Sequence, residues 1–270
     1  MRRIRNLIFL YICAAPALLC AQGNWKVDPM LFSLQVLRGD TLSRAFSVLN
    51  ESSEVKRFQV VTKDWVFSRT GEEKELEQGE NPRGCASWVT VTPRDFTLGP
   101  GERETIRFSL SVPRRGMAGS HWCAMYVVPF DRPRLATRAA GEGRTLSIFV
   151  QLRAKVSVVA TVEPGLDARG EITGIKVRYA RQNRKILTDV TFSNPGNVLL
   201  QCRGRVEIRN EVGETVLSFP MNRFTSLPGL DRTVTGEQAA DLVPGEYSAL
   251  AIVDFGGDYL VAGEAFFRVE

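Results

Sequence analysis

Residues able to do covalent or acid–base chemistry are few in this sequence, and their spacing suits none of the common mechanisms. The only histidine, His121, sits in the strand-like run Ser120-His-Trp122 with no partner near it, which leaves a serine or cysteine triad without its base. No Gly-x-Ser-x-Gly elbow occurs, and Gly141-Glu-Gly143 lacks the further glycine and the helix that a phosphate cradle requires. The carboxylate pair Glu72-Glu73 lies in a charged stretch that reads as solvated loop, although a glycosidase pair assembled from distant strands stays open on sequence alone. The cysteines, Cys13, Cys20, Cys85, Cys123 and Cys202, have no zinc-site spacing. The expectation is a protein that is not an enzyme and needs neither a metal nor a cofactor.

The compartment is written in the first residues. Met1-Arg2-Arg3-Ile4-Arg5 is a basic start, and the apolar run Leu7 to Leu19 that follows is too short to span a bilayer. Residues 1–21 read as a signal peptide cleaved near Ala21. A lipoprotein reading of Cys20 competes, against the lack of a small residue in Leu18-Leu19 just before it. No other stretch is apolar enough for a transmembrane helix, so no membrane insertion is expected after cleavage. The leader carries three arginines and no acid, which lowers the formal charge from +5 to +2 and removes the case for nucleic acid. Arg203, Arg205 and Arg209 fall at alternate positions and read as a solvated strand face. Three cysteines remain after cleavage. An oxidising compartment permits one bridge, expected between Cys85 and Cys123, which lie near Trp88 and Trp122; Cys202 then serves as a small buried hydrophobe.

The elements that must position these groups are strands. Short alternating runs of Val, Ile, Phe, Leu and Thr are separated by Gly, Pro and Asn turns, and no helical period is sustained. The fold class expected is all-β: two immunoglobulin-like β-sandwich domains, 22–160 and 161–270, with the break near Glu163-Pro164-Gly165. Residues 70–84 read as a charged loop, and 130–145 as a long connection into the longest apolar run, Leu146 to Val162. The second half repeats the first one's punctuation. Thr191-Phe192-Ser193-Asn194 echoes Val48-Leu49-Asn50, and Val243-Pro244-Gly245-Glu246 echoes Gly99-Pro100-Gly101-Glu102.

Ile148-Phe-Val150-Gln-Leu152-Arg153-Ala-Lys155-Val156-Ser-Val158 resembles the last strand of the first domain of the periplasmic pilus (fimbrial) assembly chaperones, PapD-like proteins. Val48-Leu49-Asn50, Val91-Thr92-Pro93 with Phe96-Thr-Leu98, Ile106-Arg107-Phe108, and Ser120 through Pro129 match further strands in the right order, over about residues 25 to 165. The resemblance implies donor-strand complementation of an incomplete pilus or fimbrial subunit, with an outer-membrane usher as a further partner. Leu146, Ile148, Val150 and Leu152 would be the inserted side chains, at about 1.5 to 3 kcal/mol each before ordering costs. Lys155 would anchor the subunit's terminal carboxylate. Two departures stand out. Ser33-Leu34 occupies the place of the family's first-strand arginine, and Val112 to Gly119 keeps only the proline and one arginine of its Leu-Pro-x-Asp-Arg-Glu signature. The residues also permit the other reading of 146–152, a strand consumed by the protein's own core. The expected location is the periplasm. The alternative is a structural or adhesive cell-surface protein of tandem immunoglobulin-like domains, binding through the 70–84 and 130–145 segments.

Overall fold

The computed structural model describes residues 24–130, 134–139 and 145–270, with the backbone alone described for 134–139 and 145–150. The leader expected at 1–21 and Gly141 to Gly143 lie outside the described residues. The described residues are mostly β. The chain's first half holds β1 (Trp25–Asp28), β2 (Leu31–Leu37), β3 (Thr41–Asn50), β4 (Lys56–Phe67), β5 (Glu73–Leu76), β6 (Val89–Thr92), β7 (Asp95–Leu98), β8 (Arg103–Ser111), β9 (Gly119–Pro129), β10 (Arg134–Ala139), β11 (Thr145–Val150) and β12 (Ala154–Glu163). Its second half holds β13 (Glu171–Ala180), β14 (Lys185–Ser193), β15 (Leu200–Asn210), β16 (Thr215–Ser226), β17 (Asp231–Ala239), β18 (Gly245–Asp254) and β19 (Val261–Val269).

In the first sandwich the sheet β1-β3-β8-β6 faces the sheet β2-β12-β9-β4-β5, with β7 also on β4. The leading segment serves both sheets. β1 runs antiparallel to β3; then Pro29, which has no N–H to donate, breaks the ladder and β2 joins β12 in parallel. Alternation makes the core. β8 turns Ile106, Phe108 and Leu110 inward while Arg103, Thr105 and Arg107 stay exposed, and β12 buries Val156, Val158, Ala160 and Val162 completely. β9 is buried on both faces: Cys123, Met125 and Val127 face this core, and Trp122, Ala124 and Tyr126 meet Trp65 and, from the second half, Leu227. The second sandwich pairs β13-β14-β17 with β16-β15-β18-β19.

Four details depart from the sequence reading. The 70–84 segment is not all loop, because residues 73–76 form β5 on the end of β4, in register Phe67↔Glu73 to Asp64↔Leu76. The 130–145 connection contains β10, which pairs with β11. β12 runs through position 160, the boundary drawn between the two domains, and stops at Glu163, where the expected Glu163-Pro164-Gly165 interruption begins. The echo at Val243 to Glu246 is also misplaced: Gly245 opens β18.

The true counterpart of Gly99 to Glu102 is Leu227-Pro228-Gly229-Leu230. Gly101 and Gly229 have φ of 73° and 74°, a left-handed turn that glycine adopts without steric cost. Their amides donate to the carbonyls of Asn50 and Asn194 at 2.9 and 2.7 Å. Both asparagines are fully buried, Asn50 as the last residue of β3 and Asn194 just after β14. Asn50 Nδ2 donates to the carbonyls of Glu54, Leu98 and Gly99 at 2.7, 3.0 and 3.1 Å. Asn194 Nδ2 donates to those of Val198 and Ser226 at 2.9 and 3.2 Å. A buried carbonyl without a donor is costly, so each asparagine closes one end of its sandwich. Asn50→Ala is expected to destabilise the protein by about 1 to 3 kcal/mol, read as a shifted urea midpoint; an unmoved midpoint would contradict this role.

Candidate functional site

The apolar run from Leu146 to Val162 has two fates. Its second half, β12, is consumed at home: β9 pairs it on one side, from Ala154↔Val127 to Val162↔Gly119, and β2 on the other. Its first half, β11, leaves the sandwich. β11 pairs only with β10, in register Leu146↔Arg138, Ile148↔Ala136 and Val150↔Arg134, and the two make a sheet of their own. Among the described strands none lies along the other edge of β11. The side chains of Leu146, Ile148 and Val150 lie outside the described residues. Leu152 follows the strand and is 39% exposed. Gln151 to Arg153 break the ladder between the two strands, and Gln151 Nε2 donates to the Pro129 carbonyl at 3.3 Å.

At the start of β12, positions 153 and 155 turn to the outer face of the sheet, away from the core that Val156 enters. The Lys155 ammonium lies 2.5 Å from Glu73 Oε2 and 3.9 Å from the centre of the Trp65 ring. Glu73 Oε1 accepts from the Tyr126 hydroxyl at 3.2 Å, so both oxygens of this carboxylate are held. The neighbouring Arg153 guanidinium grips both oxygens of Glu75, with Nη1 3.0 Å from Oε2, and stacks 4.5 Å above the Tyr126 ring. Burial pulls the Lys155 ammonium below its ordinary value, and Glu73 works against that shift. Burial, and then Glu73 and Glu75, push the Tyr126 hydroxyl up, which keeps it a donor. The Lys155 and Glu73 side chains are still 25% and 32% exposed. Coulomb's law at an effective dielectric near 20 gives about 4 kcal/mol for such a pair, and partial hydration and side-chain ordering reduce the net to about 1 kcal/mol. The pair orients the lysine without locking it.

Lys155 is therefore neither free nor merely solvated, because it holds a carboxylate of its own chain. β2 has no basic residue; Ser33 lies beside Val159, and Leu34 enters the core. Glu73, Glu75, Trp65, Tyr126 and Arg153 are site residues that sequence reasoning missed. The available signal was the matched alternation of Glu73-x-Glu75 and Arg153-x-Lys155, two acids and two bases each one strand period apart.

β5 is pinned to this place from behind. Buried Asp64, on β4, accepts from the amides of Gly79 at 2.8 Å and Ala86 at 3.0 Å, which ties down the chain that follows β5. A Cβ at Gly84 would stand 2.2 Å from the Asp64 carboxyl carbon, so only glycine allows that approach. The second sandwich is joined to β9 nearby: the Ser120 amide donates to Asn197 at 2.8 Å, and Ser120 Oγ accepts from the Leu199 amide at 2.9 Å.

The remaining reactive groups are structural. His121 is buried, bonded through Nε2 to the Met117 carbonyl at 3.0 Å and packed on Trp88, and burial lowers its basicity. The sulfurs of Cys85 and Cys123 meet in the first core at 3.0 Å as free thiols, so the expected bridge is not closed here. Cys202 is buried in the second core. Among the described residues no group of three or more His, Cys, Asp or Glu side chains is arranged to hold a metal, and no helix is long and apolar enough to cross a membrane.

No family model and no curated protein matches the chain. Solved structures similar to it include a chaperone–tip adhesin complex of CFA/I fimbriae biogenesis, at 14% identity and a TM-score of 0.47, covering 90% of this chain and 98% of that one. The class 5 fimbriae chaperone CfaA is similar at 12% identity and a TM-score of 0.42, covering 91% and 98%. The CsuC–CsuE chaperone–tip adhesion subunit complex of archaic Csu pili from Acinetobacter baumannii is similar at 11% identity and a TM-score of 0.44, covering 89% and 97%.

Burial pushes the Cys202 thiol up to about 12, so at pH 8 it is a thiol and not the reactive thiolate. Iodoacetamide is expected to leave Cys202 unmodified in the native protein and to alkylate it in guanidinium; rapid native labelling, read by peptide mass, would contradict this burial.

Proposed function

We propose that this chain is an exported, non-catalytic, chaperone-like protein that caps an incomplete β-sandwich pilus or fimbrial subunit by lending it β11. The observation that carries this reading is that β11 has a single neighbour among the described strands: a strand with one partner has a row of backbone donors and acceptors ready for another sheet. A subunit missing one strand exposes the complementary need, an apolar groove flanked by unpaired backbone. Leu146, Ile148 and Val150 occupy alternate positions of β11, and with Leu152 they are the side chains assigned to that groove. Lys155 stands just beyond them as the anchor for the subunit's terminal carboxylate. The proposed location is the periplasm, with an outer-membrane usher as the second partner and no membrane insertion of the mature protein. There the adjacent thiols of Cys85 and Cys123 would close into a disulfide, which non-reducing mass mapping of the exported protein tests.

The adhesive reading is less well supported. It needs residues 70–84 offered outward, whereas Glu73 and Glu75 turn to Lys155 and Arg153.

Replacing Ile148 and Val150 together by aspartate is expected to abolish co-purification with a subunit that lacks one strand, leaving the melting temperature unchanged. The loss of two buried aliphatic side chains is about 3 kcal/mol or more, a fall in affinity of roughly a hundredfold. Undiminished capture would refute the mechanism.

A further inference from the structure

We propose that Glu73 and Glu75 are a plug carried by the protein itself, filling a two-cation carboxylate receptor built from Lys155, Arg153 and the Tyr126 hydroxyl, which an incoming chain with a free C-terminal carboxylate empties. The inference rests on the strand-lending reading of β11.

Three observations carry it. The cations are positioned by something other than the acids: the Lys155 ammonium sits 3.9 Å from the Trp65 ring centre, and the Arg153 guanidinium lies 4.5 Å above that of Tyr126. With the carboxylates removed, both cations are expected to stay on their platforms. The grip on Glu73 is the one a terminal carboxylate needs, with ammonium on one oxygen and hydroxyl on the other, and Arg153 adds a planar two-pronged site beside it. Finally, although Asp64 pins the chain that follows β5, the two plug side chains themselves stay partly open to solvent. β5 has four residues and pairs only with β4, and the Glu73 and Glu75 side chains keep 32% and 29% exposure.

Position links this receptor to β11. An extended chain advances about 3.3 Å per residue, so Lys155 lies about 16 Å beyond Val150 if the backbone stays extended. A guest strand lying along β11 in the same direction brings its C-terminus to Arg153 and Lys155. Exchange of carboxylates then costs little, because the receptor trades one anion for another, and the chain's own acids return when the guest leaves. The plug also spares the free protein two unpaired cations, Lys155 half-buried and Arg153 exposed.

The test uses the full exported chain and a fluorescent peptide of alternating valine and threonine, made with a free C-terminal carboxylate and again as the C-terminal amide. Fluorescence anisotropy measures the ratio of the two dissociation constants. The wild-type protein is expected to favour the free acid about twofold, Glu73→Gln/Glu75→Gln about tenfold, and the same double variant carrying both Lys155→Met and Arg153→Met not at all. An equal ratio in the wild type and the double variant would overturn the plug. Thermal melts confirm that each variant folds; should the double variant not fold, Glu73→Gln alone is expected to raise the ratio, and an unchanged ratio there overturns the plug as well. Ile148→Asp/Val150→Asp separates this idea from its foundation. If that variant binds both peptides as well as the wild type, strand lending fails; if it loses both while the ratio stays equal elsewhere, only the plug fails.

Discussion

A strand inside a sheet satisfies its backbone through two neighbours, and among the described strands β11 has one. The rest of the molecule is arranged around that deficit. β12, continuous with β11 in sequence, has a neighbour on each side and four fully buried side chains, so the apolar run divides at Gln151 to Arg153 into a half that holds the protein together and a half that projects from it. The division is physical. The apolar alternation itself runs on through Leu152 and Ala154, while the intervening Gln151 and Arg153 turn their side chains to the Pro129 carbonyl and to Glu75.

A projecting strand is useful only if its base does not move, and the base is rigid for identifiable reasons. β9, which β12 borders, is buried on both faces: one lies in the first core, and the other against Trp65 and Leu227. The Asn50 and Asn194 networks close the corresponding end of each sandwich by the same pattern of bonds to a Pro-Gly turn. Asp64 anchors the chain after β5, which keeps two carboxylates beside Arg153 and Lys155. Packing, backbone closure and charge pairing thus converge on the few residues between β11 and β12.

Much of this architecture was legible in the residues. Period-two alternation in segments such as Thr105 to Leu110 marked strands, and Asn194 was visible as the echo of Asn50 because a buried asparagine at the strand's end recurs with its turn. Pro-Gly turns are common enough that the partner turn was assigned to Val243 to Glu246, when the one bonded to Asn194 is Leu227 to Leu230. β5 escaped notice because Glu73-Lys-Glu75 has the composition of a solvated loop. Charges enter a sheet face when opposite charges wait there, and Arg153 and Lys155 lie some eighty residues later in the chain. The proximity of Cys85 and Cys123 was readable from their company in the first half; whether their sulfurs are joined depends on redox conditions, which no spacing records.

The central claim is that the outer edge of β11 is vacant in the free protein and filled by a partner's strand. Amide hydrogen exchange across residues 145–150, measured alone and with a subunit lacking one strand, tests it most directly. The amides not paired to β10 should exchange quickly in the free protein and become strongly protected in the complex. Equal exchange in both states, whether fast or already slow, would contradict the account.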